Sequence, residues 1–407
     1  VISVPFIERI LSKRLGKDVS PGDMVFVPVD LVYAHDGTAP LVIEVVVNEL
    51  KLEKRLARNR AFFFIDHASP APTLAAATVH KKMREFASRF GLGLFDAGEG
   101  ISHQLVIENG LAGPGDIVVG ADSHTPTVGV TGALALGLGS TDVAVALSYG
   151  YTWLSVPETV KVVLRGSLKH MVMGKDVALW LLGLKDVEKF HGRVIEYAGD
   201  LRAIGLDGLA TLTNMSTEMM AVTSVIPPEA LREQTTGSST SSGYVDEVSV
   251  QLGEVEPMVA RPPDVFNVAP VSSVEGVEVD QVFIGSCTNG RLQDMEVAAR
   301  IARGRRVKSG VRCIVAPASR KVLLESLERG YIDVLLKAGC ILSPPTCGPC
   351  VGAHMGLLAE GEVAVSTTNR NFPGRMGHRK SEVYLASPAT AMASALTGRI
   401  TDPRVFA

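Results

Sequence analysis

Aromatic residues are scarce here, 5% of 407 positions, so the chain is poorly supplied with stacking platforms for single-stranded nucleic acid. An excess of one charge is missing too. Forty-three acidic residues meet 40 basic ones for a formal net charge of -3, with no lysine/arginine block and no acidic tail. No nucleic-acid partner is expected from that balance. Long apolar runs are lacking although mean hydropathy is +0.23. Residues 125–141 contain no Asp, Glu, Lys or Arg, but Pro126 and four glycines break them and they fall short of the roughly 20 residues a span needs, so they read as loop and buried helix. Residues 338–359 are interrupted by Pro344, Pro345, Pro349 and His354. No membrane partner is expected. The first ten residues carry Glu8 and Arg9 and no apolar h-region, which argues against a secretory signal and for a cytoplasmic protein. Cysteine is rare as well. Cys287, Cys313, Cys340, Cys347 and Cys350 all lie in the last third, and an odd count in a large chain points to metal or redox chemistry rather than a disulfide framework.

What is present describes a compact α/β protein: 46% apolar and 20% charged residues with 40 Gly and 22 Pro, long enough for two or three domains of roughly 150 residues. Strand-like runs at 61–65, 93–95 and 116–120 alternate with an amphipathic helix at 73–90. The middle reads as a strand at 159–164, a helix at 175–182 and a Ser/Thr/Gly loop at 237–243. The last third offers strands at 280–284, 312–316 and 363–366, with helices at 293–302 and 320–329. Such alternation predicts mainly parallel sheets with helical crossovers. The composition shifts divide the chain at 1–156, 157–256 and 257–407. Ligands of doubly wound sheets gather beyond the carboxyl ends of strands. The polar motifs fall there: Asp66-His67, Asp122-Ser123-His124, Gly285-Ser286-Cys287-Thr288-Asn289-Gly290 and Thr367-Thr368-Asn369-Arg370.

Cys347-Gly348-Pro349-Cys350 is a C-x-x-C whose two thiolates can reach one metal centre or form a redox disulfide, with a structural pair as the alternative. It shares its tetrapeptide with thioredoxin but lacks the small βαβ module around it. Zinc would need further ligands, from Cys287, Cys340 or a histidine. Together with Cys287 the pair suits a cubane iron–sulfur cluster with one iron left without a protein thiolate. Asn289-Gly290 is expected to form a tight turn that brings backbone amides to the sulfurs, while Cys313 and Cys340, in apolar stretches, read as buried structural cysteines. Three adjacent carboxylate–histidine combinations, His35-Asp36, Asp66-His67 and Asp122-Ser123-His124, fit proton transfer, because a carboxylate fixes the tautomer and stabilises the imidazolium. Arg370 and Arg375, on a loop shaped by Pro373 and Gly374, suit a di- or tricarboxylic acid. Gly137-Leu138-Gly139 is too short for a dinucleotide fingerprint, and Gly174-Lys175 is followed by Asp176 where a P-loop needs Ser or Thr.

Five motifs in order, ADSHTPT (121–127), GISHQLVIENG (100–110), GSCTNGR (285–291), CGPC (347–350) and NRNFPGR (369–375), resemble the aconitase superfamily. More narrowly, the chain is similar to the branch of large subunits found in 3-isopropylmalate dehydratases and homoaconitases. The resemblance implies three α/β domains around a 4Fe-4S cluster, with the mobile fourth domain carried by a separate small-subunit protein. The chain's end at Ala407, soon after the last motif, agrees with that split form. It further implies Cys287, Cys347 and Cys350 as cluster ligands; Asp66 and His67 as the pair protonating the departing hydroxyl; Asp122 and His124 as a second pair; and His103 near the metal-bound water. Glu218 matches the family's acidic residue beside the hydroxyl, and Arg370 and Arg375 its carboxylate-binding arginines, with His35, Asp36, Ser123 and Asn369 as further substrate contacts. Aconitase proper has Gln where this chain has His35. The reaction implied is dehydration and rehydration of a 2-hydroxy acid. A cluster-sensing RNA-binding role, known for some aconitases, is opposed by the absent basic stripe.

Overall fold

The computed structural model describes residues 4–232, 243–352 and 354–406, so residues 237–242 of the expected Ser/Thr/Gly loop lie outside the described residues. Within them, the chain forms four sheets. Leu31–His35 and Ile117–Gly120 are buried along their whole length, which is how a strand covered on both faces by helices reads in sequence. They sit in the middle of a five-stranded parallel sheet ordered Gly93–Phe95, Arg60–Phe64, Leu31–His35, Ile117–Gly120, Leu134–Gly137. Its long crossover helix, Leu74–Phe90, starts where the Thr73 hydroxyl accepts from the Ala76 amide and ends at Gly91, whose positive φ of 68° closes the last turn. Met83, Phe86 and Phe90 on one face of it are buried.

A four-stranded parallel sheet follows, ordered Thr223–Val225, Val194–Gly199, Thr159–Arg165, Asp246–Gln251. The third sheet has seven strands: Val268–Pro270, Met258–Ala260, Glu382–Ala386, Val363–Ser366, Gln281–Ile284, Arg312–Val315 and Ile341–Leu342. The last five run parallel, and Met258–Ala260 is antiparallel to both neighbours. A small antiparallel pair, Met24–Pro28 with Tyr151–Ser155, turns Val25, Val27 and Leu154 inward and leaves Phe26 and Trp153 exposed.

Strand order locates the ligand crevice. In the five-stranded sheet the chain builds outward from Leu31–His35 and then returns to its other side at Ile117–Gly120. In the seven-stranded sheet Gln281–Ile284 is flanked in the same way by Arg312–Val315 and Val363–Ser366. Each reversal opens a gap at the carboxyl ends of the two strands that diverge. The residues at and just beyond the carboxyl ends of those four strands are His35-Asp36, Ala121-Asp122-Ser123-His124, Gly285-Ser286-Cys287 and Thr367-Thr368-Asn369-Arg370.

Two local expectations differ from the structure. Residues 125–141 are a 3-10 turn, Thr125–Thr131, then the strand Leu134–Gly137, and helix begins only at Ser140. A short apolar run bounded by glycines has no period that separates a doubly buried strand from a buried helix. The segment after Cys287 is one helical turn, Ser286–Asn289, ended by Gly290. The Asn289 amide group turns to Thr211 and Asp294, and the side-chain amides of Asn214 and Asn369, rather than turn amides, donate to the Cys287 sulfur.

Candidate active site

The two crevices face each other across a cavity of about 430 Å³, lined among others by His35, His67, His103, Asp122, Ser123 and His124 from the first sheet. Cys287, Cys347, Cys350, Asn369, Arg370 and Arg375 line it from the third. Asp36 also borders it, whereas Asp66 and Glu218 stand behind, each reaching the cavity through a histidine.

The carboxylate–histidine partners are not those adjacent in sequence, with one exception. Asp66 Oδ1 meets His67 Nδ1 at 2.7 Å, and its other oxygen accepts from the Ser102 amide. Asp36 turns away from His35: its oxygens accept from the amides of Asp66, His67 and Ala68 and from His80 Nε2 at 3.1 Å. It thereby shapes the turn that presents Asp66 and His67. His35 instead stacks on His67, ring centroids 3.8 Å apart, with Nε2 3.1 Å from Asp122 Oδ2 but off the axis of a hydrogen bond. Asp122 bonds His103 Nε2 at 3.0 Å and accepts from the His124 amide at 2.6 Å. The His124 ring reaches Glu218 Oε1 at 2.9 Å, the same oxygen that takes Arg370 Nε at 3.0 Å; Arg370 Nη2 also donates to Ser123 Oγ.

Electrostatics sort these groups into charge states. Burial opposes Asp66 as an ion, yet the charge and hydrogen bond of His67, with His35 nearby, hold it down to about 2. His67 is raised against burial by Cys347 and Asp66. His124, also raised against burial, reaches about 9 because Glu218 and Asp122 flank it. His103 goes the other way: burial outweighs Asp122 and lowers it. As a neutral ring it donates Nε2–H to Asp122 and accepts at Nδ1 from the Tyr33 hydroxyl, 2.7 Å away.

The five cysteines are free and buried. Cys287, Cys347 and Cys350 cluster with Ile101 and Ala318 at the cavity floor, while Cys313 and Cys340 belong to the apolar core of the seven-stranded sheet. Burial pushes the Cys287 thiol well up, and neighbouring Cys347 and Cys350 push it further. Cys347 is raised to about 12 by burial. Cys287 and Cys347 are thus poorly placed to ionise in water, and the three thiols crowded at one spot are well placed to share a metal centre, whose charge inverts that preference. Amide and guanidinium donors surround the sulfurs: Asn214 Nδ2 lies 3.2 Å and Asn369 Nδ2 3.6 Å from Cys287, and Arg375 Nη2 lies 3.8 Å from Cys350. Donors to sulfur are what tunes an iron–sulfur cluster. The set fits that group.

Sequence reasoning missed several members of this network. Asn214 stands inside the segment that yielded Glu218, but its amide turns to Cys287. Tyr33 hides within an apolar strand, and His80 within a helix face. Lys175 carries a signal, a lone charge pair with Asp176 in an apolar helix, which the failed P-loop pattern masks.

Comparison with known proteins gives the family. The profile of the aconitase family (aconitate hydratase) matches residues 8–236 and 264–398. The 3-isopropylmalate dehydratase large subunit of Pyrobaculum calidifontis is 49% identical, and its counterparts in Methanopyrus kandleri (large subunit 1) and Saccharolobus solfataricus are 45% identical, each over 98% of both chains. Among solved structures, the holo-form of Thermococcus kodakaraensis aconitase X superposes with a TM-score of 0.54 at 13% identity, covering 90% of this chain and 89% of that one, a likeness of fold. With its doubly wound sheets, its cysteine triad and a match along nearly its whole length, the chain belongs to the aconitase family.

Proposed function

We propose that this chain is the large subunit of a 3-isopropylmalate dehydratase, which interconverts 2-isopropylmalate and 3-isopropylmalate in leucine biosynthesis by loss and return of water. One observation carries the reading: three free thiols open onto the same 430 Å³ cavity as two arginines and the carboxylate-backed His67 and His103. The names of relatives 45–49% identical over the full length support it. A 4Fe-4S cluster on Cys287, Cys347 and Cys350, one iron lacking a protein thiolate, would supply a Lewis acid for the substrate's hydroxyl and carboxylate.

The chain's own residues do the rest. Arg375 has a buried Nε without a hydrogen-bond partner, a donor free to meet a substrate carboxylate. Arg370, held by Glu218 and Ser123, presents its remaining guanidinium face beside it. His67, kept protonated by its surroundings, is the proton donor for the leaving oxygen, and Asp66 holds the ring in place. Neutral His103, with both ring nitrogens held by Tyr33 and Asp122, fixes the Asp122 carboxylate that lines the cavity and orients water there. Glu218 and His124 fix the arginine, so the carbon skeleton keeps one orientation between the two half-reactions. In the family the base that removes the C–H proton is a serine of the mobile domain, so turnover requires a small subunit carrying it, in a heterodimer or heterotetramer.

The reading divides the chain into units at 1–156, 157–256 and 257–407, which the sequence-local sheets support. It also places the enzyme in the cytoplasm, where five free cysteines stay reduced. Among the described residues no helix is long and apolar enough to cross a membrane.

The test is iron, sulfide and zinc analysis of protein purified without oxygen, for wild type and Cys287→Ala. About four iron and four sulfide per chain, lost in the variant, are expected. Isomerisation of 2-isopropylmalate should then appear only when the small subunit is added. Zinc in place of iron, or turnover by the pure large subunit, would overturn the reading.

A further inference from the structure

Lys175 is fully buried in the first turn of the helix Gly174–Leu182 and does not line the cavity. Its ammonium donates to two backbone carbonyls, Thr367 at 2.9 Å and Thr368 at 2.5 Å. The adjacent carboxylate gives it no partner: Asp176 spends one oxygen on the Met258 amide and the other on the Met173 amide. A buried cation that faces only neutral carbonyls carries a large desolvation cost, and an apolar side chain of the same length would avoid it.

What the lysine holds gives the reason. Thr367 and Thr368 end the strand Val363–Ser366 and lead directly into Asn369 and Arg370. Asn369 reaches Cys287 Sγ and Thr288 Oγ1, and Arg370 reaches Glu218 and Ser123. The anionic groups whose fields reach the ammonium include Glu218, Asp294 and two of the triad's thiols, Cys350 and Cys287, and neighbouring Asp176 interacts with it as well. Burial lowers the amine to about 8, so it is still a cation at neutral pH. The helix start is fixed as well, since a Cβ on Gly174 would stand 2.7 Å from Gly208 Cα.

We infer that Lys175 is a positioning residue, which pins the peptide carrying Asn369 and Arg370 against the cysteine triad and provides the buried positive charge that offsets the triad once its thiols are ionised on a cluster. The inference rests on the cluster reading above.

The experiment compares wild type, Lys175→Met and Lys175→Arg as cluster-loaded large subunits with the small subunit present. It reads iron and sulfide content, the cluster's midpoint potential by spectroscopic titration, and kcat and KM for the hydroxy acid. In Lys175→Met the potential is expected to move to more negative values and KM to rise about tenfold, the loss of a charge-assisted anchor. Lys175→Arg is expected to keep the wild-type potential while KM rises. A loaded Lys175→Met with the potential and KM of wild type overturns the inference and leaves the cluster reading intact. Wild type without iron and sulfide fails the cluster reading itself and takes the charge-balancing role with it. If Lys175→Met does not accumulate as folded protein, Lys175→Arg decides: an altered potential with an unaltered KM overturns the inference.

Discussion

His124 sits between Glu218 and Asp122 with its ring buried, and the two carboxylates raise it to about 9. An unfolded histidine titrates near ~6.5. The folded protonated form is therefore favoured, and the stability it contributes is complete below ~6.5 and lost as pH rises through the folded value. That interval is worth on the order of 3 kcal/mol. Urea unfolding at increasing pH should show the loss in wild type and a much smaller one in Glu218→Gln. Asp36 leads to a different outcome. It accepts from three amides and one histidine, so Asp36→Ala is expected to cost about 2–4 kcal/mol even in cluster-free protein, visible as a lower unfolding midpoint. The sequence marks both residues as carboxylate–histidine chemistry, and the types are legible because such pairs are uncommon. Their partners are not, because Asp122 meets His103 and Asp36 meets His80 across separate strands and helices. Only Asp66 and His67, neighbours in the chain, are bonded as neighbours.

At the scale of elements, the helices Gly174–Leu182 and Gly205–Met215 touch through glycine. A Cβ at Gly174 would meet the Gly208 backbone at 2.7–3.0 Å, distances that side chains do not tolerate. Gly174→Ala should separate the helices and destabilise the fold by about 1–3 kcal/mol. Because Lys175 is the next residue, KM should rise with the fall in melting temperature, and calorimetry beside steady-state kinetics would check the pairing. The elements that are readable have explicit flanking punctuation: Thr73 and Gly91 bracket one helix, and Ser319 caps another by accepting from the Val322 amide. The run 125–141 was not readable as a strand, and the Gly174–Gly208 contact left no periodic trace. A close approach between two glycines on different helices is a property of packing, invisible to patterns along one chain.

The whole molecule brings its site together from sheets that are each local in sequence, the first within 31–137, the second within 159–251 and the third within 258–386. The alternation of strands and helices announced this much, and the polar motifs at strand ends announced the crevices. How the sheets face one another was beyond reach, since it depends on single bonds such as Arg291 to Gln104 or Lys175 to Thr367. The link from Thr346 to the Asp66 carbonyl spans 280 positions, and the Cys347 amide reaches the same oxygen. That span imposes an order on manufacture. A ribosome delivers the histidine wall, with its buried ions, long before the cysteines that cover it, so the growing chain carries an open, wet half-site for most of its synthesis. Chains stalled short of Cys350 should therefore be cut readily by protease while released full-length chains resist.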